Sequence, residues 1–465
     1  MTQGNDAVAF AEAYLDRTIA ELKEFAKIPG ISANPAPCPE LARSAAHCAA
    51  WMTRIGLENV EVLELPGVHP YVYGEWLHAE GAPTLLLYAH HDVQPPGRPA
   101  FWKSPAFEPE ERDGRLYGRG VVDDKAGAAI HFAAIEAFLK TGGLPVNVKV
   151  VIDGEEEIGS ENLGTFLDRY RERLAADVIV LTDTANLSAG LPSITYALRG
   201  ITVVHLEVKS IDHPLHSGMW GGPVPDPVMA ICKMLATLTD ADGNVTIDGV
   251  GGEIAAMDPV VRDRLAKLPY DEAVFRAEAG ILDGVELCRG NGGGPYELMW
   301  HRPSLSISAL EAAPIKGASN QIVDSARARI GVRTVPDMDG RKVAEALCAH
   351  LAKRAPWGVQ VSTTIDGAGN WWITDPRGPA FEAAERALAK GFGREPVYIG
   401  CGGSIPFVEP FARVLGGVPA LLIGLEDPLC NAHSENESLL LTDFHKAIVS
   451  AIHLYEELAT LPRKG

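Results

Sequence analysis

The segment TLLLYAHHD, residues 84–92, has the pattern of a β-strand that ends in two histidines and an aspartate. Helical spacing of apolar residues follows at 126–140, and a second strand-like run lies at 148–152. Strand, helix and strand in this order indicate a largely parallel sheet with helices on both faces. In such sheets the carboxyl ends of the strands usually carry the chemistry, which is where the polar end of this segment would lie.

Further patterns extend this large α/β domain along the chain. They predict helices at 5–27, 162–174, 379–391 and 442–459, and strands at 60–65, 71–76, 177–181 and 419–423. The run at 177–181 is almost wholly apolar, which is typical of a buried central strand.

A different pattern begins after residue 200. It predicts strands at 201–208, 326–335 and 359–365, and helices at 223–238 and 340–354. These elements indicate a smaller α+β domain whose antiparallel sheet is covered by helices on one side. Residues 240–303, which contain two glycine-rich runs, are expected to form an irregular insertion. Because the first pattern resumes after this region, we expect the small domain to be inserted into the large one, with boundaries at 1–198, 199–377 and 378–465.

Composition narrows the class of protein. A length of 465 residues exceeds what one hydrophobic core usually supports, so two domains are expected. With 61 acidic and 41 basic residues the net charge is -20, which repels nucleic acid and anionic membranes, so neither is expected as a partner.

The 7 cysteines form no CxxC pair, and we find no signal-like segment and no run of 18 apolar residues. We therefore expect reduced thiols and a cytoplasmic location.

The first candidate site residues are His90 and Asp92. On an extended backbone their side chains face the same side. His90 is therefore a candidate ligand for a divalent metal, with Asp92 holding its imidazole in place. The alternative is a strand end with ordinary polar residues.

A second candidate is the pair Asp123-Asp124, directly before the predicted helix at 126–140. The preceding Gly118-Arg119-Gly120 resembles a dinucleotide-binding loop, but the third glycine is missing and two carboxylates stand where phosphate would lie. The pair would either cap the helix or supply a carboxylate shared by two cations about 3.5–4 Å apart.

Three glutamates, Glu155-Glu156-Glu157, follow the predicted strand at 148–152. Carboxylates that converge at a strand-to-helix turn repel one another, and cations or a proton would let them coexist. We expect one of them to bind a metal and another, with a raised pKa, to act as a general base.

Two more candidates complete a possible metal site. Asp183 follows the strand at 177–181, and His433 precedes the last predicted helix. A single histidine is more often structural than functional. Together, however, two imidazoles and three carboxylates form the mixed nitrogen and oxygen set that suits Zn²⁺, Mn²⁺ or Co²⁺. The set is His90, Asp123, Glu157, Asp183 and His433.

Several motifs in a fixed order resemble the M20 family of metallopeptidases, and in particular its dinuclear dipeptidase, or carnosinase-like, branch. The resemblance extends from about residue 15 to residue 454. It implies a catalytic domain in two parts, 1–198 and 378–465, and an inserted lid or dimerisation domain, 199–377. The motifs are Tyr88-Ala89-His90-His91-Asp92-Val93-Gln94-Pro95, 116–125, Glu156-Glu157-Ile158-Gly159-Ser160, Leu215-His216-Ser217-Gly218, Gly402-Gly403-Ser404-Ile405-Pro406 and Ala432-His433-Ser434.

The resemblance also implies a role for each candidate. His90 and Asp183 would bind one metal ion, Glu157 and His433 the other, and Asp123 would bridge both. Zn²⁺ is the metal we expect first, with Mn²⁺ or Co²⁺ as alternatives. A hydroxide bridging the metals would attack the amide carbonyl. Glu156 would be the general base, and Asp92 would orient His90.

The small domain would add substrate contacts. His216 would stabilise the oxyanion, reaching the active site of a neighbouring subunit, and Arg333 would receive the substrate carboxylate. Gly403 and Ser404 would contact the substrate terminus, although this chain has Gly400-Cys401 where the branch usually carries Arg-Glu. We expect a homodimer formed through the lid, with the edge at 201–208 or the neighbouring helix as the contact.

The predicted function is hydrolysis of the amide bond of a dipeptide or a similar small substrate with a free carboxylate. An N-acyl amino acid deacylase, or aminoacylase, is the alternative within the same family. A metal-dependent phosphoesterase and a non-catalytic binding protein are alternatives from other classes. The phosphoesterase fits the Glu156-Glu157 pair poorly, and the binding protein would be expected to have lost a ligand or the base.

Overall fold

The structure is a computed structural model that describes residues 3–160, 162–250, 257–290, 293–403 and 408–462. Up to residue 198 its helices and strands are α1 (Gln3–Ala13), α2 (Leu15–Ala26), α3 (Pro39–Ile55), β1 (Glu58–Leu63), β2 (Tyr71–Trp76), β3 (Thr84–His90), β4 (Glu110–Arg112), β5 (Arg115–Tyr117), α4 (Lys125–Thr141), β6 (Asn147–Asp153), α5 (Leu163–Leu174), β7 (Val178–Leu181) and β8 (Ser193–Leu198).

The elements between residues 199 and 371 are β9 (Gly200–Lys209), β10 (Leu215–His216), α6 (Ser217–Trp220), α7 (Pro227–Leu235), α8 (Pro259–Lys267), α9 (Glu272–Glu278), α10 (Pro295–Trp300), β11 (Ser304–Glu311), β12 (Gln321–Ile322), β13 (Ser325–Thr334), α11 (Gly340–Lys353) and β14 (Gln360–Ala368). They are followed by β15 (Trp372–Ile373), α12 (Pro379–Phe392), β16 (Val397–Cys401), α13 (Val408–Val414), β17 (Ala420–Ile423), β18 (Ser438–Leu440) and α14 (Leu441–Leu458).

Within the described residues, the larger sheet has nine strands in the order β1-β2-β6-β3-β7-β17-β8-β15, with β16 beside β8. Its four central strands, β6, β3, β7 and β17, are parallel to one another. The chain leaves β3, forms α4 and returns as β6, which is the crossover that parallel pairing requires. The predicted mainly parallel sheet is confirmed.

Both faces of this sheet are buried, which explains the apolar run at 84–90. Leu85, Leu87 and Ala89 pack into the core formed with α1–α4, α12 and α14. Leu86 and Tyr88 pack into a separate core on the opposite face, formed with α5 and α13. Successive side chains of a strand point to opposite faces, so a central strand covered on both sides must be apolar throughout.

The smaller sheet is antiparallel, in the order β11-β13-β9-β14. Its buried side chains, Val204, Leu206 and Val208 among them, form a core with α7 and α11, as predicted for an α+β domain. The prediction that 201–208 is an edge was wrong, because β9 pairs with β13 on one side and with β14 on the other. The alternation of apolar and polar residues within one strand indicates which of its faces is buried. Which other strands pair with it depends on distant segments of the chain.

The segment 240–303, expected to be irregular, contains α8, α9 and α10. Asp258 and Asp271 accept backbone N–H groups at the starts of α8 and α9, and Pro259 follows the first of these caps. Asp before Pro is a recognisable helix start, so this signal was present in the sequence. Of the two glycine-rich runs, 251–252 and 292 lie outside the described residues.

The strands of the smaller sheet come from residues 200–368, between segments that belong to the larger sheet. The boundaries 1–198, 199–377 and 378–465 remain a proposal, and β15 joins the larger sheet from within the proposed lid range. In the described part of the chain, no helix has both the length and the apolar character needed to cross a membrane.

Candidate metal centre

The candidate site lies where the four central parallel strands end. Glu156 and Glu157 follow β6, His90 ends β3, and Asp183 follows β7. Because these strands are parallel neighbours, their carboxyl ends meet at one edge of the sheet. The topology therefore brings together residues that are 93 positions apart in the chain, since Asp183 and His90 differ by that number.

Asp123 lies between two histidines. Its Oδ1 is 2.9 Å from Nε2 of His90, and its Oδ2 is 3.0 Å from Nε2 of His433. His90 Nε2 is also 3.7 Å from Asp183 Oδ1, and His433 Nε2 is 3.1 Å from Glu157 Oε2. All five candidate ligands are thus brought together, and Nε2 of each histidine faces two carboxylates, one of which is Asp123.

Two overlapping groups of possible ligand atoms have their members within 4.8 Å of one another. One contains His90, Asp123 and Glu157, and the other contains His90, Glu156 and Asp183. Glu156 therefore stands among the possible ligands by distance alone. The role of Glu156 as general base is therefore inferred from the family resemblance and from the surroundings of its carboxylate.

The carboxylates of this cluster are hard to ionise together. Burial raises the pKa of Asp183, and burial and the charge of Asp183 raise that of Glu156 well above its usual value. Burial, together with Asp123, raises the pKa of Glu157 to about 7. Hydrogen bonds to Asp123 and Glu157 raise the pKa of His433 to about 11. Bound cations would let these carboxylates be ionised together. The imidazole and carboxylate donors of the cluster fit divalent metal ions.

Asp92 contacts both His90 and the turn that follows β6. Its Oδ1 is 3.3 Å from Nδ1 of His90, and its carboxylate accepts the backbone N–H groups of Glu156 and Glu157 at 3.2 and 3.0 Å. The side chain is fully buried. It can therefore fix the ring of His90 and the position of both glutamates at once.

The three consecutive glutamates have different surroundings. Glu155 accepts hydrogen bonds from the Tyr71 hydroxyl at 2.9 Å and from the Asn162 side-chain amide at 3.0 Å, so it stabilises the turn before α5. Glu157 is held by Gln94, whose Nε2 donates to it at 2.8 Å. Glu156 and Glu157 are the two glutamates predicted for the site from the sequence, and the structure places both among the candidate ligands.

Asp124 occupies the N-cap position of α4 but makes no capping hydrogen bond. Its Oδ2 instead accepts the backbone N–H of His90 at 3.2 Å. The capping alternative for this residue is therefore wrong. A Cβ on Gly127 would lie 2.1 Å from Asp124 Oδ1, so the absence of a side chain at 127 makes room for this carboxylate.

Glu437 supports the loop that carries Asp123, and sequence reasoning missed it. Its buried carboxylate accepts backbone N–H groups of Gly120 and Val122 at 3.0 and 3.1 Å. Arg119 pairs with it at 2.6 Å, and both side chains are buried. Nothing in the local sequence distinguishes Glu437 from a surface glutamate, because its partners are more than 300 positions away.

The two predicted lid residues occupy different settings. His216 is exposed at the start of α6, where its ring accepts the N–H of Gly218 at 3.1 Å, and it belongs to neither described group of possible metal ligands. Arg333 is half-buried on β13, close enough to Cys401 for an electrostatic interaction. Gly403 is also half-buried, and its N–H contacts the Cys401 sulfur at 3.3 Å, whereas Ser404 lies outside the described residues.

Arg199 is a further residue that the sequence did not reveal. Its guanidinium donates to the Gly402 carbonyl at 3.3 Å and to the Ser304 hydroxyl at 2.9 Å, which joins the end of β8 to the lid. Burial and the nearby positive charge of Arg333 lower its pKa to about 10. Two arginines thus lie near each other beside the 402–403 loop.

Glu426 was also missed. It lies just after β17, and its carbonyl accepts the N–H of Asn186 at 2.7 Å, close to Asp183 in the chain. Its carboxylate interacts electrostatically with Asp123, Asp183 and His433. The signal was present, because Glu426 follows the predicted strand at 419–423 as His90 and Asp183 follow theirs.

A mainly parallel sheet with imidazole and carboxylate donors at its carboxyl edge is an arrangement suited to metal-dependent hydrolysis. Residues 86–458 match the sequence profile of peptidase family M20/M25/M40, and the chain belongs to this family.

Individual relatives match nearly the whole chain. It is 34% identical to a cysteinylglycine-S-conjugate dipeptidase of Corynebacterium striatum, over 90% of this chain and 91% of that one. It is 27% identical to the Cys-Gly metallodipeptidase dug1 of Schizosaccharomyces pombe, over 96% of each. The crystal structure of human carnosine dipeptidase 1 has a TM-score of 0.88 at 26% identity, and the match covers 99% of this chain and 100% of that one.

Proposed function

We propose that this protein is a dinuclear metal-dependent dipeptidase. The observation that carries the proposal is the position of Asp123, whose two oxygens face two different histidines at 2.9 and 3.0 Å. A carboxylate in this position is suited to share two cations. His90 and Asp183 would hold one cation, and Glu157 and His433 the other. Zn²⁺ is our first choice, with Mn²⁺ or Co²⁺ as alternatives.

Two bound cations would lower the pKa of a water molecule between them and polarise the carbonyl of the scissile amide. Glu156 would take the proton of that water and pass it to the leaving amine. Its surroundings support this role, because burial and the neighbouring Asp183 both favour its protonated form. Asp92 would keep His90 and Glu156 in position through the contacts described above.

Substrate contacts would come from the lid and its junction with the catalytic domain. Arg333, with Arg199 beside it, would receive the free carboxylate of the substrate, since a guanidinium can bind a carboxylate through two hydrogen bonds. Gly403 and Ser404 would contact the same end. His216, exposed and outside the described groups of possible metal ligands, would act in the site of a second copy, which requires a homodimer formed through the lid.

The named relatives favour a dipeptidase over an N-acyl amino acid deacylase, because they are dipeptidases acting on cysteinylglycine S-conjugates, Cys-Gly or carnosine. Family membership likewise disfavours a phosphoesterase. A cytoplasmic location remains a proposal, as do small peptides as the partners in place of nucleic acid or membrane. The 7 cysteines, all unpaired in the structure, agree with a reducing compartment.

The proposal is tested by loading the protein with Zn²⁺, Mn²⁺ or Co²⁺ and measuring metal content and hydrolysis together. We expect two metal ions per chain, hydrolysis of dipeptides, and loss of activity on chelation that is reversed by metal. Cys-Gly, β-Ala-His and Ala-Ala would be compared with N-acetyl amino acids. Intact dipeptides alongside cleaved N-acetyl amino acids would refute the dipeptidase assignment, and a single metal ion in the active protein would refute the dinuclear one.

A further inference from the structure

A cavity of about 340 Å³ lies between the insertion and the edge of the larger sheet. Its insertion side is formed by the aromatic rings of Phe275, Tyr296 and Trp300, and Ile399 of β16 lies among the residues opposite. Tyr296 and Trp300 stack with their ring centroids 4.8 Å apart. An aromatic wall of this kind suits an apolar group of a small ligand, and the volume falls in the range of about 300–1,000 Å³ usual for ligand sites.

The cavity also reaches the candidate metal centre. Glu426 lines it, and the same carboxylate interacts electrostatically with Asp123 and Asp183. Its side chain has no hydrogen-bond partner in the part of the chain that the structure describes. The Glu426 carboxyl group therefore lines the aromatic cavity and lies within electrostatic range of the metal ligands, and Glu278 and Asp427 line the same cavity.

The insertion packs against the chain at Gly400, the first residue of the Gly400-Cys401 pair. A Cβ on Gly400 would lie 2.6 Å from the Cβ of Trp300, so a side chain at position 400 would collide with α10. Trp300 of the insertion therefore occupies the space that a side chain at position 400 would need. Cys401 and Glu426 line the cavity beside it.

We propose that Glu426 binds the α-ammonium of the substrate and that the aromatic cavity takes the side chain of the same residue. The inference rests on the proposed dipeptidase function and names its substrate class. These substrates are dipeptides whose N-terminal residue carries a large apolar group, such as an aromatic ring or an S-substituted cysteine.

The geometry of a dipeptide supports this assignment. The α-ammonium is separated from the scissile carbonyl by a single carbon, so its counter-charge must lie near the metal ligands. The backbone of Glu426 pairs with Ala185, two positions after Asp183. The side chain leaves that same carbon and would enter the space beside Glu426. The free carboxylate lies on the other side of the amide, where the arginines of the lid junction would receive it.

The cavity is tested by filling it. Ala279 lines the cavity at the end of α9, and Ala279→Phe would occupy part of it. Ala273→Phe is the matched control, because Ala273 is exposed on the same helix and does not line the cavity. We expect wild type to prefer S-benzylcysteinylglycine over alanylglycine by about tenfold or more in kcat/KM. Ala279→Phe should lower this preference about tenfold, and Ala273→Phe should retain it.

The role of Glu426 is tested with alanylglycine and propionylglycine, which differ only in the α-ammonium. Wild type should prefer alanylglycine, and Glu426→Gln should lower that preference at least about tenfold while the metal content stays at the wild-type value. An unchanged preference would overturn the assignment of Glu426.

The assignment of the cavity and the dipeptidase function on which it rests can be refuted separately. If wild type hydrolyses dipeptides but treats large and small N-terminal residues alike, or if Ala279→Phe keeps the wild-type preference, the cavity assignment is wrong and the dipeptidase function stands. If no dipeptide is hydrolysed by the metal-loaded protein, the proposed function fails and the substrate class fails with it.

Discussion

Glu156 and Glu157 are adjacent and chemically identical, yet their contacts suit different tasks. The carboxylate of Glu157 is bound by Gln94 and lies 3.1 Å from His433, which fixes it as a ligand would be fixed. Glu156 lies close to Asp183, and burial and the charge of Asp183 raise the pKa of Glu156 well above its usual value. We therefore expect Glu156 to carry the proton and Glu157 to bind metal.

Replacing Glu156 with glutamine removes the proton acceptor and preserves the size of the side chain. Glu156→Gln should lower kcat by about 10²-fold to 10⁴-fold, the usual contribution of general acid–base catalysis. The metal content should remain unchanged. Glu172→Gln, an exposed substitution on α5, is the control and should behave as wild type. A well-metallated Glu156→Gln protein with wild-type activity would show that this residue is not the base and would favour a binding protein.

At the scale of elements, the loop before α4 is held in place by one buried carboxylate. Glu437 accepts N–H groups from this loop and pairs with Arg119, while Asp123 at its end faces both histidines. The loop has little local structure of its own between β5 and α4. Its geometry therefore depends on a residue near the far end of the chain.

Removing the charge of Glu437 would leave Arg119 buried without its partner. Glu437→Gln should lower the free energy of unfolding by about 3 kcal/mol, since breaking one partner of a buried ion pair is costly. Denaturant unfolding of the metal-free protein measures this loss without interference from metal binding. Glu435→Gln is the matched control, because Glu435 pairs with the largely exposed Arg98 and its loss should matter much less. Equal effects of the two substitutions would contradict the structural role of Glu437.

Two glycines in helices allow the packing around Asp124 to be tested. A Cβ on Gly127 of α4 would lie 2.1 Å from Asp124 Oδ1 and 2.5 Å from Thr182 Oγ1, whereas a Cβ on Gly164 of α5 meets nothing within 4 Å. Gly127→Ala should destabilise the protein by about 1–3 kcal/mol through overpacking. Gly164→Ala should stabilise it by about 0.5–1 kcal/mol, because alanine favours helix.

Thermal unfolding of both variants gives the comparison directly. Stabilisation of the protein by both substitutions would show that intrinsic helix preference, and not the position of Asp124, decides the effect at residue 127. A loss of metal affinity in Gly127→Ala alone would further connect Asp124 with the position of His90, whose N–H it accepts.

At the scale of the whole molecule, the position of His216 bears on assembly. It lies on a small arm formed by β10, β12 and α6, in which Met219 and Trp220 are also exposed. Large exposed apolar side chains beside a candidate functional residue are typical of an interface. The arm is therefore where we expect a second copy to contribute to the site.

Co-expression of two inactive variants distinguishes action in trans from action in cis. His216→Asn keeps an intact metal centre, and Glu156→Gln keeps an intact arm. If His216 acts in the partner, mixed dimers regain activity in about a quarter of all sites, because half of the dimers are mixed and each contains one complete site. Activity no higher than that of the separate variants, or a fully active monomer in solution, would contradict the proposal.

Much of the architecture was predictable because it follows from the order of apolar and polar residues within single segments. The segment 84–90 is apolar throughout since both faces of β3 are covered, and its polar end lies at the edge where parallel strands place their chemistry. A helix between two such strands favours parallel pairing, because parallel strands need a long crossover connection. These facts depend on periodicity within one segment, which the sequence displays directly.

The sequence by itself predicted the mainly parallel sheet, the inserted α+β unit and the five candidate ligands that the structure brings together at one edge of the larger sheet. Only the tertiary structure decided that Glu155 stabilises a turn, that β9 is central, and that Glu437, Arg199 and Glu426 join the region of the site. The physical reason is that the role of a side chain depends on the residues that surround it. Those neighbours come from strand order and long-range packing, which no pattern within a single segment records.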